Sequence, residues 1–337
     1  MKTMRFVWID DQKTKISQFR AVIEAGIGAQ HAKIELLEIK QNALGALADW
    51  CKQNADRPPQ LLIIDHIFNS ALPFGLKGSS VAHLLRNTFP RLPMVCVTAM
   101  FDRPQSFDQE DISEYTALFR YQHLEKHIED LYGIARDFPK LHTEAKGVRL
   151  HFVECLKPPK RDRDELLRIL PEEFQDEAHS TTEHRVARWI LNELLARPGF
   201  LHDRLHTATA LGLTVPGLSK VEHLFTRALY KGVFATKSEP RWWASATRHV
   251  LYELVGEDAS DIPQYAGRAL PGISEMDYSQ CYVSKKKDPP PDVVVYSDSS
   301  SSASLRVVNR RYSELHPASV AVTPGFDAKL ILRKSRS

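Results

Sequence analysis

Asp10, Asp11, Asp65 and Thr98 each follow a short apolar run: MRFVWI before Asp10-Asp11, QLLII before Asp65, and PMVCV before Thr98-Ala99. If those runs are neighbouring strands, three carboxylates meet at one sheet edge. Like charges at that spacing repel unless a divalent cation sits among them, and an all-oxygen donor set with few carboxylates suits Mg²⁺. Asp65 is then placed to attack phosphorus and form an acyl phosphate. The Thr98 hydroxyl would hydrogen-bond a phosphoryl oxygen.

The stretches between these residues supply the scaffold. Met4–Ile9, His31–Ile39, Gln60–Ile64, Pro93–Val97 and Thr116–Phe119 read as strands. Helical spacing occupies Lys15–Ala25, Ala43–Cys51, Gly78–Phe89 and Glu125–Phe138. Strands that are apolar on every residue and alternate with helices predict a parallel sheet covered on both faces. The expected fold class is α/β, doubly wound and flavodoxin-like, with five strands over residues 1–142. No glycine-rich phosphate loop is present, so a nucleotide-binding reading has no support.

The order IDD, LLIID, VCVTA resembles the receiver domain of two-component response regulators over residues 1 to about 140. The resemblance implies a phosphoacceptor at Asp65 and Mg²⁺ at Asp10, Asp11 and Asp65. It implies phosphoryl contacts from Thr98 and Ala99, and a sensor histidine kinase as the phosphoryl donor in a phosphorelay. Receivers carry a Lys at the end of strand five. Here the spacing lands on Arg120, whose planar fork differs from an ammonium. Asp65 is also followed by HIFNSALPFGLKG, a longer loop than receivers have before their third helix.

Residues 143–337 resemble no family. The expectation is an α+β region, helical over 165–256 with a strand-containing tail over 280–335. Arg149–Leu156 reads as a strand and Pro158–Asp164 as a linker. Glu183–Leu195, Leu201–Leu211, Leu218–Tyr230 and Trp242–Val255 read as helices, with a turn over Gly212–Gly217 and a short extended piece at Gly232–Phe234. The pair of helices around that turn has the outline of a helix-turn-helix. Lys220, His223 and Arg227 would face DNA, but Glu222 lies on the same face and two firm cations cannot neutralise several phosphates. A protein partner is therefore favoured over DNA.

His202 and His206 are spaced i, i+4 in HDRLH, a spacing that can hold zinc. Asp203 stands where a catalytic Glu would be and no third ligand is evident, so the pair reads as a satisfied or solvated one. In the tail, Val293–Tyr296, Leu305–Val308 and Leu330–Leu332 read as strands joined by a serine-rich loop. No nucleophile elbow accompanies those serines, and no enzymatic motif is evident beyond phosphoacceptor chemistry.

Composition narrows the class. The chain has 337 residues, 43% hydrophobic and 26% charged, which suits two globular domains. Through residue 145 there are 17 Lys and Arg against 18 Asp and Glu, and the overall balance is only +3, unlike a dedicated nucleic-acid binder. The four cysteines lie far apart, which fits a reducing cytoplasm. No run approaches a membrane span, and Met1–Asp10 does not read as a signal peptide.

Overall fold

In a computed structural model, β1 (Met4–Asp10) lies centrally in a five-stranded sheet, between β2 (Ala32–Glu38) and β3 (Leu61–Asp65). The structure describes residues 3–28, 31–39, 43–68, 77–99, 109–143, 148–171, 174, 182–256, 260–281, 293–296, 306–309 and 321–322. β4 (Met94–Thr98) and β5 (Ala117–Arg120) complete the order β2-β1-β3-β4-β5, and every pairing is parallel. This is the doubly wound flavodoxin-like order, whose chain reversal falls between β1 and β3. Phe6, Ile9, Leu61, Ile63, Met94 and Val95 are wholly buried. Side chains of this size contribute about 1.5–3 kcal/mol each when removed from water.

Helices α1 (Lys13–Ile27), α2 (Ala43–Asn54), α3 (Gly78–Thr88), α4 (Gln109–Ser113) and α5 (Ile128–Asp137) alternate with the strands. In α5, Leu131, Ile134 and Ala135 recur at helical spacing on the buried face. Its first turn carries Glu129 and Asp130 and its last Arg136, matching the helix dipole at both ends. The residues read as the start of that helix form instead a 3₁₀ segment, Tyr121–His127, kinked at His123.

The chain forms two units. The first comprises Met1–Cys155, Leu170–Leu191 and Thr236–Ser238; the second comprises the rest. Arg149–Leu156 is not a strand: α6 (Val148–Leu156) buries Val148, Phe152, Val153 and Leu156, a helical rather than alternating period. Within the first unit, α8 (Thr182–Trp189) seats His184 beneath the sheet. Its Nε2 donates to the Pro90 carbonyl at 3.0 Å and its Nδ1 accepts from the Thr116 hydroxyl at 3.2 Å. His142 Nδ1 meets Glu183 Oε1 at 3.0 Å beside it. Further along the chain, the Glu129 carboxylate accepts the backbone N–H groups of Lys237 at 2.9 Å and Ser238 at 2.8 Å.

In the second unit, Lys160 to Ile169 forms helix α7, so the expected linker is only its leading residues. Leu201–His202 is strand β6, antiparallel to β7 (Trp242–Trp243), so both expected helices begin later than read. They are α9 (Arg204–Ala210) and α11 (Ala244–Val255). Leu218–Tyr230 is not one helix. Thr214 caps α10 (Val215–Val221), accepting the Gly217 N–H at 3.1 Å, and Val221 then leaves helical geometry before a 3₁₀ turn, Glu222–Phe225. Gly232–Phe234 is a turn rather than an extended piece, with Phe234 at φ 62°. Leu211, Leu218, Val221, Phe225, Trp242 and Leu251 form the buried centre of this unit. Gly212 closes α9 at φ 68°, and a Cβ there would lie 2.3 Å from the Gln264 carbonyl oxygen.

The tail holds β8 (Val293–Tyr296), β9 (Arg306–Asn309) and β10 (Ala321–Val322) in the order β10-β8-β9, all antiparallel. The serine-rich segment 298–304 and the expected strand Leu330–Leu332 fall outside the described residues.

Candidate functional site

The carboxyl edge of the parallel sheet gathers most of the residues singled out in the sequence. Ile9 is level with Ile64, so Asp10 and Asp65 close adjacent strands side by side at the reversal point. Asp65 is level with Val97, and Thr98 lies one residue further out, opposite Arg120. Asp10 and Thr98 are each only 1% exposed, Asp11, Asp65 and Arg120 are half-buried, and Ala99 is exposed. Asp10 Oδ1 accepts the Gln12 N–H at 2.8 Å, which fixes the turn from β1 into α1.

Tyr121, the residue after Arg120, also belongs to this edge. Its phenol is pushed up to about 12, first by burial and then by the negative charges of Asp10 and Asp65. A single hydroxyl thus senses both carboxylates. Its ring lies 4.4 Å from that of Phe19 on α1. The sequence signal for Tyr121 was its place just past the fifth strand, where the Lys-to-Arg substitution drew attention instead.

A second group lies on the other side of Asp65. Gly78 N–H donates to the His66 carbonyl at 2.8 Å, and Lys77 bridges antiparallel to Ile67, so the start of α3 runs against the end of β3. Lys77 Nζ meets Asp111 Oδ2 at 2.8 Å, and the Ser79 hydroxyl donates to Asp111 Oδ1. Asp65 and Asp111 both act on Tyr115 and Cys96, whose acidic protons are held mainly by burial. Lys77 was not singled out in the sequence, because it follows the long loop and has no motif of its own.

Among the described residues no group of three or more His, Cys, Asp or Glu side chains is arranged to hold a metal ion. Asp10 and Asp65 nonetheless end the adjacent strands β1 and β3, with Asp11 next to Asp10. Two adjacent carboxylates, Asp10 and Asp11, with one buried and the other half-buried, still fit a cation that keeps most of its waters. Most of the loop after Asp65, residues 69–76, lies outside the described residues, as do residues 100–108 after Ala99.

The candidate DNA-facing residues do not share one helix. Lys220 on α10 is paired to Asp277 at 2.7 Å, His223 lies in the 3₁₀ turn, and Arg227 beyond it is paired to Glu253. Both cations already face carboxylates, and the second helix of the pair, α10, ends at Val221, before His223 and Arg227. No helix of the described residues is long and apolar enough to cross a membrane.

No family model matches the chain, and no curated protein sequence matches it. Among solved structures it is similar to the signal receiver domain of a DNA-binding response regulator from Colwellia psychrerythraea 34H, with 17% identity, 38% of this chain and 98% of that one covered, and a TM-score of 0.29. It is similar to RcsB from Salmonella enterica serovar Typhimurium, bound to promoter rprA in the presence of phosphomimetic BeF3⁻, with 15% identity, 41% and 73% covered, and a TM-score of 0.29. The Mn²⁺-bound form of response regulator Rcp1 shares 12% identity, with 37% and 88% covered and a TM-score of 0.28. Over roughly its N-terminal two-fifths, the chain resembles response-regulator receiver domains in fold.

Proposed function

We propose that residues 1–142 act as a phosphorylatable receiver in a cytoplasmic signalling protein, and that residues 143–337 form an output module that engages a protein partner. The observation that carries this reading is the pairing of Asp10 and Asp65 across the reversal point, close enough that both charges act on Tyr121. The Asp65 carboxylate is half-buried at the end of its strand, so a donor can reach it. Asp65 would attack the phosphorus of a sensor kinase's phosphohistidine, the P–N bond would break, and the imidazole would take up a proton. Asp10, Asp11 and Asp65 would hold Mg²⁺, which when bound neutralises charge on the transferring group. Thr98 would hydrogen-bond a phosphoryl oxygen, and Ala99 would leave room beside it.

Intact-mass spectrometry after treatment with acetyl phosphate and Mg²⁺ tests the reading. The expected result is one phosphoryl adduct on the wild type, lost in Asp65→Asn and when Mg²⁺ is chelated. An unmodified wild type under conditions that label an active receiver would identify a degenerate receiver acting as an adaptor.

The source of the positive charge is a separate prediction. Lys77 carries an ammonium at the start of α3, against the end of the Asp65 strand, and pairs with Asp111 Oδ2 at 2.8 Å. Phosphorylation of Asp65 would draw Lys77 away from Asp111. Lys77→Ala should slow adduct formation about ten- to a hundredfold, the rate equivalent of losing a charged hydrogen bond of about 1.5–3 kcal/mol. Arg120→Ala labelled slowly beside a normal Lys77→Ala would return that role to strand five.

A further inference from the structure

We propose that His202 and His206 form a binding site for a divalent transition metal of the zinc class, with Asp203 as the positioning carboxylate. The sequence reading of this pair as satisfied or solvated does not hold. His202 is 4% exposed and His206 3%, so neither ring is solvated. Neither ring nitrogen of His202 has a hydrogen-bond partner, and neither does His206 Nε2. Three buried ring nitrogens therefore stand without partners in one place. A buried polar group left in that state costs about 1–3 kcal/mol.

The two rings come from different elements and face one region. His202 is on β6, opposite Trp242, and His206 is in the first turn of α9. Their centroids are 6.3 Å apart. With zinc–nitrogen bonds of about 2.0–2.1 Å, two imidazoles on one ion place their centroids roughly 5 Å apart at a tetrahedral angle and roughly 6.5 Å apart when opposed. The observed separation lies near the opposed end of that range, so a tetrahedral ion would draw the two rings about 1 Å closer together.

Asp203 fixes which nitrogen of His206 is available. Its Oδ1 lies 2.8 Å from His206 Nδ1 and also accepts the His206 backbone N–H at 2.8 Å, while its Oδ2 faces Arg241 Nη1 at 3.4 Å. A carboxylate only accepts, so the proton sits on Nδ1 and Nε2 keeps its lone pair. This carboxylate–histidine arrangement is the one that orients metal-bound imidazoles and raises their basicity. Imidazole donors select zinc, copper or nickel over magnesium or calcium. With two protein ligands, the remaining positions belong to water or a small exogenous ligand.

The test uses the full chain, stripped with a chelator and then titrated with Zn²⁺ by calorimetry and with Co²⁺ by visible absorption. The expected result is one saturable equivalent in the wild type, lost in His202→Asn and in His206→Asn but kept in the exposed control His223→Ala. Asp203→Asn keeps a residue able to cap α9 yet releases the tautomer, so it should weaken binding about 10- to 100-fold without unfolding the protein. It also decides the matter if either histidine variant fails to fold. Equal titrations in the wild type and in all three site variants would overturn the proposal. So would a Zn²⁺-soaked crystal with only an ordered water between the rings.

Discussion

Gly78→Ala should lower stability by about 3 kcal/mol and, under the proposed function, also disable phosphoryl acceptance at Asp65. A Cβ at residue 78 would lie 2.0 Å from the Asp65 carbonyl oxygen and 2.8 Å from the Tyr115 hydroxyl. The first is backbone at the end of a central strand and the second is a buried ring, so neither can give way cheaply. Alanine favours a helix over glycine by about 1 kcal/mol, which works against the predicted sign and is too small to reverse it. Gly199→Ala is the matched control, because a Cβ there meets nothing within 4 Å. Urea unfolding followed by near-ultraviolet circular dichroism would compare the two. A Gly78→Ala midpoint equal to that of Gly199→Ala would show that α3 can slide away from β3, and the described contact would not position Asp65.

The second large effect is expected on acidification. His184 is 1% exposed, and its imidazole is lowered from 6.5 to about 4. Burial is the main cause, the positive charge of Arg86 adds to it, and the hydrogen bond to the Pro90 carbonyl opposes it. The unfolded chain binds a proton on this residue near pH 6.5, whereas the folded chain resists until about pH 4. Stability from this group is therefore complete above pH 6.5, falls as pH drops below that value, and levels off below pH 4. At about 1.4 kcal/mol per pH unit, the loss over the window is about 3 kcal/mol. His184→Gln keeps one donor and one acceptor but does not titrate, so its stability should change less between pH 7 and pH 4.5. Parallel pH profiles for the wild type and the variant would place the acid sensitivity elsewhere.

Strands β1, β3 and β4 were legible because each is apolar, apart from Arg5 in β1, up to a polar last residue. Asp10, Asp65 and Thr98 could therefore be placed at one edge from the sequence alone. α6 was not legible. RLHFVECL is short and rich in aromatic and branched residues, and a run of eight cannot be assigned by period when helix and strand both bury most of it. The break after Val221 was hidden because Leu218, Phe225 and Leu229 continue a helical spacing across it. The competing signals were Thr214 and Pro216, a cap and an early proline that start α10 inside the expected turn. Tyr121 and Lys77 were invisible for a different reason. Each acts through contacts between elements far apart in sequence, which no local pattern carries.

The first unit is assembled from three separated pieces of chain, and this sets the order in which a nascent polypeptide can complete it. β1 leaves the ribosome with its apolar side chains exposed, and its neighbour β3 follows only after two helices and a strand. Thr116 waits 68 residues for His184. Glu129 waits 108 residues for Lys237, roughly 5–20 s of synthesis at about 5–20 residues per second. Through that interval the sheet exists without its lower clasp, and the most recently made part of the chain must come back to an older one. A ribosome pause before residue 184 would hold the protein in that half-closed state, the stage at which a chaperone gains most by binding it.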